Sequence, residues 1–171
     1  LRLHMPGHKG SGELGCEALD ITEVPGADDL ACPEGVILES EENTTELFGS
    51  RHSFYCTGGS SQCVKAMLHL AYLFRPEGTG NCILAARNAH KSFLHGCALL
   101  GLEPRWLYPE AGTPLCSCPV SPAALERALQ TGERPFAVYI TSPDYLGGVQ
   151  DISALAEVCH RHGLPLLVDN A

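Results

Sequence analysis

Three short stretches carry residue types from which a cofactor site could be assembled. "CTGGSSQ", residues 56–62, joins two glycines, two hydroxyls and the start of a helix. Gly58 and Gly59, without Cβ, would let the backbone approach a ligand closely, and the two hydroxyls with the helix-start amides that follow could cradle an anion. The helix dipole adds about 0.3–1 kcal/mol. A capped helix start explains the same residues equally well, and the stretch matches neither of the common glycine-rich nucleotide loops. "RNAHKS", residues 87–92, offers His90, a flat imidazole that could lie against a planar ligand or serve the fold alone. "LLVDNA", residues 166–171, places Asp169 at the end of an apolar run. A carboxylate leaving an apolar strand needs a partner, and either a protonated ring nitrogen or the next loop would serve. At about 4 Å and an effective dielectric near ~20, the ring pairing is worth roughly 4 kcal/mol before desolvation. A phosphate cradle, a flat cover and a carboxylate for a ring nitrogen together describe pyridoxal 5'-phosphate (PLP).

The surrounding sequence predicts how these stretches are positioned. The first fifty residues are rich in Gly, Pro and acids and read as irregular, with one short helix ending near Gly49. "SFYC" then reads as a strand, followed by a helix capped by Ser60 or Ser61, with Val64, Met67, Leu68, Ala71 and Tyr72 at helical spacing. "NCILAA", "PRWLYP", "FAVYITS" and "LPLLVDNA" read as further strands. Between them lie a helix closed by Gly101, a helix capped by Ser121 with Pro122 at its first position, and a helix capped by Asp151 and stopped by Gly163. Strand and helix in alternation, with strands apolar throughout, predict an α/β fold: a mostly parallel sheet covered by helices on both faces. In such sheets ligands bind beyond the carboxyl ends of the strands, where all three stretches fall.

Composition narrows the function classes. A net charge of −9 over 171 residues argues against a nucleic-acid partner and mildly favours a cationic small substrate. No run of apolar residues is long enough to span a membrane, and the first residues lack the core of a secretory signal, so a cytoplasmic protein is expected. The nine Cys show no C-x-x-C pair, and Cys116 and Cys118 alone do not make a closed zinc site. They read as reduced, partly buried small hydrophobes. Neither His4 with His8 nor His160 with His162 has the neighbours of a metal site, so no metal is expected.

The sequence resembles the Orn/Lys/Arg decarboxylase family, PLP enzymes of the aspartate aminotransferase fold type. The matching segments are "HMPGHKG", "LDITEVPGADDL", "PEGVI", "TGGSSQ", "RNAHKS", "ITSPDYLGG" and "LPLLVDNA", in family order from one end of the chain to the other. The resemblance implies that Gly59, Ser60 and Ser61 hold the cofactor phosphate, that His90 stacks on the ring, that Asp169 pairs with the ring nitrogen, and that Ser142 lies near the cofactor. Thr57 stands where the family more often has Asn.

The resemblance also answers what Lys91 does. In the family the Schiff-base lysine follows the strand that carries the Asp, whereas Lys9, Lys65 and Lys91 all precede Asp169. Lys91 is then a bystander or a group supporting its neighbours, and the catalytic lysine is expected after Ala171. The resemblance implies a fragment: residues 1–50 an N-terminal irregular segment, residues 51–171 part of a PLP-binding large domain whose C-terminal part is missing. The parent would convert arginine, lysine or ornithine to CO2 and an amine for polyamine synthesis, as a homodimer or higher homo-oligomer, and the fragment alone would be inactive. Another PLP enzyme of the same fold type, an aminotransferase or lyase, and a non-catalytic binding or regulatory remnant are the alternatives.

Overall fold

A computed structural model describes residues 6–9, 11–21 and 26–170. Parts of "HMPGHKG" and "LDITEVPGADDL", His4 of the first histidine pair, and Ala171 lie outside the described residues. The chain divides into two compact units, Leu1–Thr57 and Gly58–Ala171.

In the first unit a short 3-10 turn, Glu17–Leu19, precedes helix α1, Val36–Phe48, which ends on Gly49 in the left-handed region. Asp28 accounts for "GADDL" and "PEGVI" together. Its carboxylate accepts the backbone N–H groups of Asp29, Glu34, Gly35 and Ile37, at 2.8–2.9 Å. It thereby serves amides at the start of α1 that have no intrahelical acceptor. These amides, Glu34 first, hold the Asp28 carboxyl down at about 2.

"SFYC" is not a strand. Tyr55 N–H donates to Glu41 Oε1 (2.8 Å), and its hydroxyl bonds to Ser40 and Thr44. Tyr55, tied in this way to α1, is drawn away from a ladder, and Phe54 beside it stays exposed.

In the second unit the elements run α2 (Gly59–Leu73), β1 (Cys82–Ala86), α3 (Lys91–Leu100), β2 (Glu103–Leu107), α4 (Pro122–Leu129), β3 (Val138–Thr141), α5 (Ile152–Arg161) and β4 (Leu166–Asp169). All four strands are parallel, in the order β2-β1-β3-β4. Alternate residues of each strand feed opposite layers, as the pleat requires. Leu84, Ala86, Val138 and Ile140 pack with Leu125 of α4 and with Leu155, Val158 and Cys159 of α5. Ile83, Ala85, Tyr139 and Leu167 pack with Val64 and Leu68 of α2 and with Phe93 and Cys97 of α3. The sheet is covered on both faces.

The predicted caps of α4 and α5 form: Ser121 Oγ accepts from Ala124 N–H and Asp151 Oδ1 from Ala154 N–H. Four of the nine cysteines, Cys82, Cys97, Cys118 and Cys159, are buried. Burial pushes the thiols of Cys97 and Cys159 up to about 11. Helices α2 and α3 touch closely at Gly96, where an added Cβ would stand 2.6 Å from Leu68 Cδ1. Among the described residues no helix is long and apolar enough to cross a membrane.

Candidate cofactor site

The connection from β1 runs through α3 to β2 on one side, and that from β3 runs through α5 to β4 on the other. A crevice therefore opens between the carboxyl ends of β1 and β3, the place where open α/β sheets bind ligands. A cavity of about 340 Å³ lies there, lined by Ser60, His90, Ser92, Thr141, Pro143, Asp144, Tyr145 and Asp169. Three of the six site residues expected from sequence, Ser60, His90 and Asp169, thus share one pocket. Gly59 and Ser61 flank Ser60 in the first turn of α2.

Each of the three is positioned by its own element. Helix α2 starts earlier than expected: Gly58 is the N-cap, and Ser60 and Ser61 lie inside the helix. The cause is Gln62, whose Oε1 accepts the Gly58 N–H at 2.8 Å and so reaches back to cap the start with its own side chain. A Cβ on residue 58 would meet that oxygen at 2.1 Å, so any larger residue there would have to displace the Gln62 side chain. The second glycine, Gly59, has φ +67°, in the left-handed region that favours glycine.

His90 is the N-cap of α3. Its Nδ1 accepts the Ser92 backbone N–H at 3.3 Å and lies 2.7 Å from Ser92 Oγ. A backbone N–H can only donate, so Nδ1 is the acceptor and the neutral ring carries its hydrogen on Nε2. Ser92, 3% exposed, fixes this orientation from inside the pocket wall. Lys91, one residue earlier, is exposed and outside the lining.

Asp169 ends β4, level with Thr141 of β3. It shares its face of the sheet with Leu167 and Tyr139, toward α2 and α3. Tyr139 donates its hydroxyl to Asp169 Oδ2 at 2.8 Å. Burial, then the bonded Asp169 carboxylate, pushes the Tyr139 phenol well above its usual range, so it remains a donor. Thr141 Oγ1 is buried and forms no hydrogen bond, yet lies near enough to the phenol to oppose that shift.

Ser142 is buried just behind the lining. Its N–H donates to the Asp169 carbonyl (3.0 Å), and its hydroxyl accepts from Gln150 N–H (3.0 Å). Asp144 closes the following loop. Its carboxylate accepts from Ser117 Oγ, Leu146 N–H and Gly148 N–H. Those donors, Ser117 first, hold it below the usual carboxylate range. Its acceptor capacity is spent on the loop, which marks it as a shaper of the pocket wall. Of the histidines considered for metal, His8 lies 2.9 Å from Asp20 Oδ2 and His162 lies 2.8 Å from Glu126 Oε1.

The donor set suits PLP. A helix start with Ser60 offers hydroxyl and amides to a phosphate. His90 offers a flat ring, and Asp169 offers a carboxylate with one oxygen already engaged from the core. The orphaned Thr141 hydroxyl is a further sign that polar groups gather on this wall for more than packing. Tyr139, Ser92, Thr141 and Tyr145 were not singled out for the site from sequence. The first two become visible only once strand register and the α3 cap are known.

The chain is similar to known proteins in sequence and in fold. The chain is 32% identical to the uncharacterized protein YaaO of Bacillus subtilis, over 98% of this chain and 36% of that protein. It is 31% identical to an arginine decarboxylase of Halalkalibacterium halodurans, over 100% of this chain and 36% of that protein. The chain thus spans about a third of the length of these relatives. Among solved structures, Oryza sativa TDC with PLP and tryptamine superposes with a TM-score of 0.68 at 19% identity, over 94% of this chain and 37% of that one, which shows the fold. The family model described as "Orn/Lys/Arg decarboxylase, major domain" matches residues 15–171. With nearly the whole chain inside that match, the protein belongs to the Orn/Lys/Arg decarboxylase family.

Proposed function

We propose that the chain is part of a PLP-dependent decarboxylase of a basic amino acid, arginine, lysine or ornithine. The observation that carries this reading is the meeting of Ser60, His90 and Asp169 around one cavity at the strand ends. Gly59, Ser60 and Ser61 hold the cofactor phosphate with hydroxyls and helix-start amides. His90 would cover the ring face, and Asp169 would accept the ring N–H with the oxygen that Tyr139 leaves open. Ser142 braces Asp169 through its backbone carbonyl. When bound, PLP supplies an electron-accepting ring that takes up the electron pair released as a substrate carboxylate leaves as CO2.

Residues 51–171 are then part of a cofactor-binding large domain, residues 1–50 are a separate N-terminal segment, and the Schiff-base lysine lies in chain beyond Ala171. Lys91 does not line the cavity. The net charge of −9 suits a cationic substrate. Family membership favours a cytoplasmic homo-oligomer that makes a polyamine precursor.

The test is CO2 release from carboxyl-labelled arginine, lysine and ornithine by the natural protein, with and without PLP. The expected result is PLP-dependent release from one of the three, lost in Asp169→Ala. Transamination without release would point to the aminotransferase alternative. Release unchanged by Asp169→Ala would overturn the assignment.

A further inference from the structure

We propose that Tyr139 is a positioning residue for Asp169, fixing which carboxylate oxygen faces the ligand. This rests on the reading of Asp169 as the partner of a protonated ring nitrogen. Tyr139 is fully buried in the middle of β3, and its hydroxyl reaches along the sheet face to Oδ2 of Asp169 at the end of the neighbouring strand. The ring cannot swing away. Phe93 of α3 packs against it with centroids 4.4 Å apart, and Trp106 of β2 stands edge-on behind Phe93 at 5.8 Å.

One carboxylate oxygen is therefore held from the protein interior, and the other is left for the cavity that Asp169 lines. The phenol does more than orient. A donor on Oδ2 stabilises the anion and lowers its affinity for a proton. In an N–H···O pair between ring and carboxylate, that bias keeps the proton on the ring nitrogen, where it is useful for drawing electrons. Without the phenol, Oδ2 loses the donor that holds it from the core, the carboxylate turns more freely, and the shared proton moves toward it.

The experiment loads the natural protein with PLP labelled with 15N in the ring and follows the nitrogen chemical shift against pH. Wild type should show a pyridinium shift, and Asp169→Asn should lose it. Tyr139→Phe should lower the pH at which half of the ring nitrogen is protonated by about one unit, a tenfold weaker hold on the proton, the order expected for losing one hydrogen bond to a charged group. Incorporation of 3-fluorotyrosine at 139, a stronger donor of the same shape, should move the shift the opposite way. The two Tyr139 substitutions pull in opposite directions, so a general loss of structure cannot mimic the result. If Asp169→Asn keeps the pyridinium shift, the ring-nitrogen reading of Asp169 falls and this proposal with it. If Asp169→Asn loses the shift while both Tyr139 substitutions match wild type, only the role of Tyr139 is overturned.

Discussion

Ser92 Oγ sits 2.7 Å from Nδ1 of His90, two residues away at the start of α3, so the imidazole of the pocket is held by the helix it caps. Ser92→Ala removes the hydroxyl and leaves the longer backbone bond. The ring then gains freedom about its side-chain torsions, and affinity for PLP should fall about three- to tenfold, the cost of one neutral hydrogen bond. Ser92→Thr, which keeps a hydroxyl, should recover much of it. Equilibrium titration with PLP, followed by cofactor absorbance, measures this, and equal affinity in Ser92→Ala and wild type would contradict the orienting role.

Gly58→Ala should destabilise the second unit. The new methyl would meet Gln62 Oε1 at 2.1 Å and Gln62 Cβ at 2.9 Å. Relief requires Gln62 to release the Gly58 N–H and the helix start to shift, at a cost of about 1–3 kcal/mol for an overpacked site. Combined with Gln62→Ala, the pair should cost less than the sum of the two, because the closer clash, with Oε1, is gone. Urea denaturation of the single and double variants gives the coupling, and strict additivity would show that the two residues do not act together.

In the first unit, Asp28 makes α1 sensitive to acid. Its folded carboxyl is held at about 2, below an unfolded value near ~4, so its contribution is fully present above pH ~4 and is lost as pH falls toward 2. Hydrogen exchange at the Ile37 and Gly35 amides, which Asp28 accepts, should accelerate relative to mid-helix amides of α1 across that window. Asp28→Ala should show the faster exchange already at neutral pH. Unchanged exchange in the variant would mean that the start of α1 is secured by other contacts.

Much of the second unit was legible because its signals are local. "NCILAA" and "FAVYITS" are apolar on both pleat faces, and that pattern requires cover above and below. Ser121, Asp151 and Gly101 are punctuation whose meaning travels only a few residues. Asp169 could be singled out for the same reason, as a charge at the end of an apolar run. Its partner could not. Tyr139 lies thirty positions earlier and meets Asp169 only through the β3–β4 register, which no short-range pattern encodes. "SFYC" misled in the converse way: its β-forming residue types were outweighed by Tyr55 bonds to α1, side-chain contacts that periodicity does not see. The helix start at Gly58 was missed because serine is a common cap, whereas here a glutamine side chain four residues on reaches back to do the capping.

The tight fit of Gly96 against Leu68 carries a consequence for the pocket. Leu68 lies eight residues along α2 from Ser60, and Gly96 lies six along α3 from His90. At 1.5 Å per residue, the hinge point of these two rods is about 9–12 Å behind the mouth they frame. A methyl added there must displace Leu68 or part the two rods, so a spot remote from any ligand bears on how closely the walls of the opening stand.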